Sequence, residues 1–131
     1  MIPLLFPDFE DLGFQVITAV QLHQLGLDQV GRIINERVGD KKAFLTFDID
    51  FLDPAYAPGT GTIEVGGFTS YDTLYLLRQT KDINYVACDV VEILPAFDPT
   101  QITAYMAGCI IHEFIAMLAY RKKKELEAQN F

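Results

Sequence analysis

Asp48-Ile49-Asp50 sets two carboxylates two residues apart, directly after the apolar run at residues 43 to 47. In an extended strand, residues at this spacing project to the same side, so both acids face outward at a strand end while Ile49 turns inward. Two converging hard oxygen donors suit Mn²⁺, Mg²⁺ or Ca²⁺ better than a soft metal. On its own an Asp-x-Asp is equally an ordinary loop-capping pair. Asp53 either extends the cluster or starts the Asp53-Pro54 turn. Glu92, at the end of the apolar run 85 to 93, serves either a binding role or a plain ion pair with a neighbouring Lys or Arg. Asp89, inside that run, reads as a hydrogen-bonded structural carboxylate as readily as a ligand.

The other residue types capable of chemistry offer less. The histidines are His23 and His112, and both fall in predicted helices, where packing or surface roles are expected. His112-Glu113 does not open a zinc-binding HExxH, because position 116 is Ala. Cys88 and Cys109 lie in apolar surroundings without the spacing of a zinc knuckle or a redox pair, so buried, reduced thiols are expected.

The elements that must position these groups alternate along the chain. Residues 14 to 18 (FQVIT) are β-prone, and Leu22, Leu25, Val30, Ile33, Ile34 and Val38 follow at near-helical spacing. Gly26 is expected to split that helical stretch, and Gly39-Asp40 to end it. Residues 43 to 48 read as a buried strand, followed by a long loop from 51 to 68 rich in Pro and Gly, the mark of a shaped functional loop. Thr69 and Asp72 form the pattern of a capping box for a helix through Leu74 and Leu77. The run 85 to 93 reads as a central parallel strand, and Asp98-Pro99 as the cap of a helix through Ile102, Met106, Ile110, Phe114 and Met117. This βαβαβα order implies parallel strands joined by right-handed crossovers, with ligands held beyond the carboxyl ends of the strands.

Composition narrows the partners. The chain has 131 residues, half of them hydrophobic, and a formal charge of -8. That suits one folded domain and disfavours nucleic acid, whose binding needs clustered Lys and Arg. A metal or a cationic small molecule fits better. No signal sequence is read at the N-terminus, and no apolar run approaches the roughly 20 residues that cross a bilayer, so no membrane partner and a cytoplasmic location are expected. Arg121-Lys122-Lys123-Lys124 continues the last helix, where cations favour the negative end of the macrodipole.

Residues 46 to 67 read TFDIDFLDPAYAPGTGTIEVGG. This run resembles the signature of the ureohydrolase family, which includes arginases and agmatinases, and DPAYAPGTGT at 53 to 62 is most similar to the agmatinase branch. Resemblance continues through Asp89-Val90-Val91-Glu92 and Asp98, and more loosely through Gly13-Phe14, Gly26-Leu27 and Val38-Gly39-Asp40. Ile63 stands where relatives usually carry proline, a departure that loosens the loop. The resemblance implies a three-layer αβα fold with a mostly parallel sheet, of which residues 1 to 131 are a single C-terminal portion. It further implies hydrolysis of a guanidino group, in agmatine to urea and putrescine, by a hydroxide bridged between two Mn²⁺ ions. Asp48 and Asp50 would be metal ligands. Glu92 would recognise the planar guanidinium, and Thr60 and Thr62 would shape the pocket.

Two motifs of that family are missing from these 131 residues. Neither Gly-Gly-Asp-His nor Asp-Ala-His-x-Asp occurs, so the metal-binding histidines and remaining carboxylates must come from elsewhere. No complete catalytic set is expected in this chain, and Mn²⁺ binding should be weak or absent in the chain alone. Three readings stay open. The chain is one part of a hydrolase that works with an N-terminal half, a non-catalytic relative that associates with itself or with full-length ureohydrolases, or a product without a role.

Overall fold

A computed structural model describes residues 11 to 129. Helix α1 (Ala19–Leu25) opens at a capping box, in which Thr18 accepts from the Gln21 amide and the Gln21 side chain reaches back to Thr18. Gly26, at φ 80°, breaks the helical path as expected and starts α2 (Leu27–Val38), and Gly39, at φ 56°, ends it. Strand β1 (Lys42–Asp48) runs into a short 3₁₀ turn (Ile49–Phe51). After the loop, α3 (Ser70–Gln79) begins at the expected Thr69/Asp72 capping box, strand β2 (Asn84–Val91) follows, and α4 (Ile102–Gln129) closes the described chain. Asp98 caps α4 from four residues upstream, its Oδ2 accepting from the Ala104 amide at 3.0 Å.

The two strands pair in parallel, with Phe44 beside Ala87, Thr46 beside Asp89 and Asp48 beside Val91. Alternation then sorts the side chains. Ala43, Leu45, Phe47, Cys88 and Val90 pack into a core with Ile34 and Val38 of α2, Leu77 of α3, and Ile110, Phe114 and Met117 of α4. The opposite face, carrying Phe44, Thr46, Asp48, Ala87 and Asp89, is exposed. The fold is α/β with a parallel sheet, as expected, but neither strand is enclosed on both faces by the described residues. Residues 14 to 18 form no strand; the two described strands pair only with each other.

Helix α4 has 28 residues and an 18-residue window of mean hydropathy 1.6, so by length and composition it suffices to cross a membrane, against the expectation from sequence. The stripe Thr103, Met106, Ala107, Ile110, Phe114 and Met117 packed on the sheet identifies a core helix. Cys109 lies off that stripe and is exposed, while Cys88 is half-buried, which corrects the expectation of two buried thiols. The basic tail is held by exposed ion pairs, Lys124 to Asp82 at 2.9 Å and Arg121 to Glu125 at 3.1 Å.

Candidate functional site

Parallel pairing brings the ends of β1 and β2 together, so Asp48 and Asp50 emerge beside the residue that follows Val91, which is Glu92. The two aspartates are not in one extended strand, as spacing alone predicted. The chain turns at Asp48, whose Oδ1 accepts from the Asp50 amide at 2.9 Å, and Asp50 sits inside the 3₁₀ turn. That bond and the Leu52 amide donating to Ile49 O at 3.1 Å hold the turn, and Ile49 is fully buried at 0% exposure. Asp48 is consequently exposed and Asp50 buried, two different environments for two carboxylates.

Asp50 is held on one side only. Its Oδ2 accepts a hydrogen bond from the Thr62 hydroxyl, whereas its Oδ1 is buried with no partner among the described residues. An orphaned carboxylate oxygen is costly unless something positive meets it. Glu64 and Asp50 contribute to the lining of one cavity of about 250 Å³, together with Leu22, Phe51 and Gly67. The donor types fit a hard divalent cation, and the number of donors does not complete one: no group of three His, Cys, Asp or Glu side chains suited to a metal occurs among the described residues. A larger groove of about 440 Å³, bordered by Leu74, Tyr105, Cys109 and His112, contains none of these acids.

The loop between Phe51 and Phe68 closes tightly. The Phe68 amide donates to Phe51 O and the Asp53 amide to Phe68 O, both at 3.0 Å. Gly67 is required there, since a Cβ would lie 2.6 Å from the Asp53 nitrogen and 2.7 Å from the Leu52 carbonyl carbon. Asp53 acts as the turn residue. Its two oxygens accept from the Ala55 and Gly66 amides, both at 2.9 Å, and these backbone donors hold its carboxyl below the usual range. Beneath the loop, Phe47 meets Phe51 edge-on, Phe51 stacks on Phe68 at 4.6 Å, and His23 stacks on Phe68 at 4.2 Å. His23 Nε2 donates to Gly66 O at 3.2 Å, which gives this histidine the packing role expected of it.

The remaining candidates divide. Thr62 is exposed and touches Asp50, whereas Thr60 is buried at 5% exposure with an unpartnered hydroxyl oxygen. Glu92 is exposed and has φ 63°, a left-handed backbone uncommon for a residue with a side chain. Such local strain collects at functional positions. Asp89 is exposed on the open sheet face, neither buried nor among the acids at the strand ends. Sequence reading missed the contact that anchors the loop: the Gly59 amide donates to Thr103 Oγ1 at 2.7 Å across 44 positions. No local motif announces it. Gly59 is the sole hint, as one of several glycines in a loop.

Residues 6 to 117 match the model of the arginase family. The chain is 46% identical over 113 residues to agmatinases of Citrobacter koseri and of Escherichia coli O7:K1, an alignment that covers 86% of this chain and 37% of each relative. Among solved structures, a hypothetical agmatinase from Burkholderia thailandensis superposes with a TM-score of 0.79 at 39% identity, over 87% of this chain and 36% of that one. Proclavaminate amidino hydrolase from Streptomyces clavuligerus superposes at 0.75 with 38% identity, over 86% and 37% of the two chains. The chain belongs to the arginase family. Within it the similarity is to agmatinases, and the chain spans little more than a third of their length.

Proposed function

We propose that residues 1 to 131 are the C-terminal portion of an agmatinase-like ureohydrolase domain, and that they contribute part of a site hydrolysing the guanidino group of agmatine to urea and putrescine. The observation that carries this reading is the placement of Asp48, Asp50 and Glu92 at the same end of two hydrogen-bonded parallel strands. Asp48 and the free oxygen of Asp50 would hold Mn²⁺, which when bound would supply Lewis acidity, lowering the pKa of water so that a nucleophile is available at neutral pH. Thr62 fixes the Asp50 carboxylate from its other side. Glu92 would pair with the guanidinium and orient it, since a carboxylate matches two parallel N–H donors. Thr60 and Thr62 would form the wall between them. A cation substrate suits a chain of net charge -8, which also speaks against nucleic acid as a partner. We place the protein in the cytoplasm, away from membranes.

With two candidate metal ligands, the chain alone is proposed to be inactive, and the remaining ligands to come from a ureohydrolase N-terminal half. Co-expression with such a half, Mn²⁺ supplied, should yield urea from agmatine, and Glu92→Gln in that complex should reduce the rate at least about a hundredfold. A stable, Mn²⁺-loaded complex that releases no urea from agmatine, guanidinobutyrate or arginine would sink the proposal. A second reading, a non-catalytic chain that associates with itself or with full-length relatives, draws on the open sheet face, where Phe44 is 57% exposed. Co-purification with a full-length ureohydrolase that survives Asp48→Ala and Glu92→Ala would favour it.

A further inference from the structure

We infer that Thr103, a buried hydroxyl on the first turn of α4, is the positioning residue that sets the 59 to 62 segment against Asp50 and Glu92 together. The inference rests on the proposed reading of those two acids as the site. Gly59 is the node. Its amide donates to Thr103 Oγ1 at 2.7 Å, and its carbonyl accepts from the Leu94 amide at 2.8 Å, two residues beyond Glu92. One residue thereby ties α4 to the segment that leaves β2.

There is no slack at this node. A Cβ on Gly59 would stand 2.3 Å from Asp98 Cβ and 3.0 Å from Thr103 Oγ1, so the loop lies directly on the start of α4. Asp98 in turn is fixed to that helix end, its carbonyl accepting from the Gln101 amide and its Oδ2 from the Ala104 amide. From Gly59 the chain needs two residues to reach Gly61, whose Cβ position is 3.0 Å from Leu94 Cδ1 and 4.0 Å from Glu92 Oε2. One residue further, Thr62 donates to Asp50. A shift at Gly59 is therefore felt at both acids within three residues. Thr103 is 0% exposed, so no water takes over the Gly59 amide if its hydroxyl is removed.

A side chain that merely fills the core at position 103 is replaced well by valine, which has the same shape. A positioning hydroxyl is replaced by serine and not by valine. Amide hydrogen exchange and backbone chemical shifts, measured by NMR on the full chain, separate the two. Thr103→Val should speed exchange at Gly59 and Leu94 by about tenfold or more and displace the shifts of Gly61 and Thr62, with Val90 and Ile110 unchanged. Thr103→Ser should restore exchange to within about twofold of the parent. The inference is overturned if Thr103→Val leaves Leu94, Gly61 and Thr62 as they were, or if both variants speed all amides alike. Should the valine variant not fold, the parent chain still decides. Gly59 and Leu94 must exchange with a common protection, and an unprotected Gly59 amide refutes the idea. No turnover is read, so failure of the urea assay with these exchange results intact counts against the proposed function alone.

Discussion

The loop from Phe51 to Phe68 and the open face of the two-stranded sheet lie next to each other and are finished to different degrees. The loop is closed by its own backbone bonds, pinned by Asp53 and seated on α4 through Gly59. The sheet face leaves Phe44 and Val86 each more than half exposed, at 57% and 56%. On the proposed reading the open face is where the rest of an arginase-family fold would pack, and among the described residues no group of three side chains completes a metal site.

Breaking the closed region should cost most. Gly67→Val puts side-chain carbons where backbone atoms of Leu52 and Asp53 already stand, and is expected to destabilise by about 3 kcal/mol or more, read as a lower urea midpoint, or to prevent folding. A matched pair sharpens the contrast between covered and open surface. Ile110→Ala, in the covered core at 1% exposure, should cost about 2–5 kcal/mol in urea unfolding. Phe44→Ser, on the open face, should change stability by no more than about 0.5 kcal/mol. Equal losses in the two variants would show that the open face is already covered in solution. The smallest effect concerns pH. The folded Asp53 carboxyl titrates below its ordinary value, so its contribution is present above the unfolded carboxylate pKa and disappears as pH falls through the depressed folded one. Gly66 and Ala55 amide exchange, followed through mild acid, should accelerate only below the usual carboxylate range, and Asp53→Asn should flatten that response.

Local chemistry was legible in the sequence, and contacts across the chain were not. The Thr69/Asp72 capping box, the breaks at Gly26 and Gly39 and the turn role of Asp53-Pro54 each involve residues within a few positions, so their physics is written in adjacent letters. Ile49 is the inward residue that its spacing implies, but the Asp48 side chain accepts from the Asp50 amide, and the expected extended Asp-x-Asp is a 3₁₀ turn. The apolar runs at 43 to 48 and 85 to 93 place the two strands but imply enclosure on both faces, whereas β1 alternates between half-buried and exposed residues in a sheet of two described strands, and residues 14 to 18 form no strand. Cys109 is exposed despite its apolar neighbours because a helix can be apolar on more than its buried stripe. The Gly59–Thr103 bond spans 44 positions, and nothing near either residue predicts the other.

Helix α4 also acts as a length standard. Its first turn holds the loop through Thr103, and eighteen residues later Arg121 Nη1 donates to Asp82 O, just ahead of β2. At 1.5 Å per residue that stretch of helix measures about 27 Å. Strand β2, at about 3.3 Å per residue over its eight residues, measures about 26 Å. The helix is thus fastened near both poles of the strand it covers, like a bar cut to the span between two posts. Inserting one residue between Thr103 and Arg121 would rotate one fastening by about 100° relative to the other, and the chain could keep its grip on the acidic pole or on the basic one, but not on both.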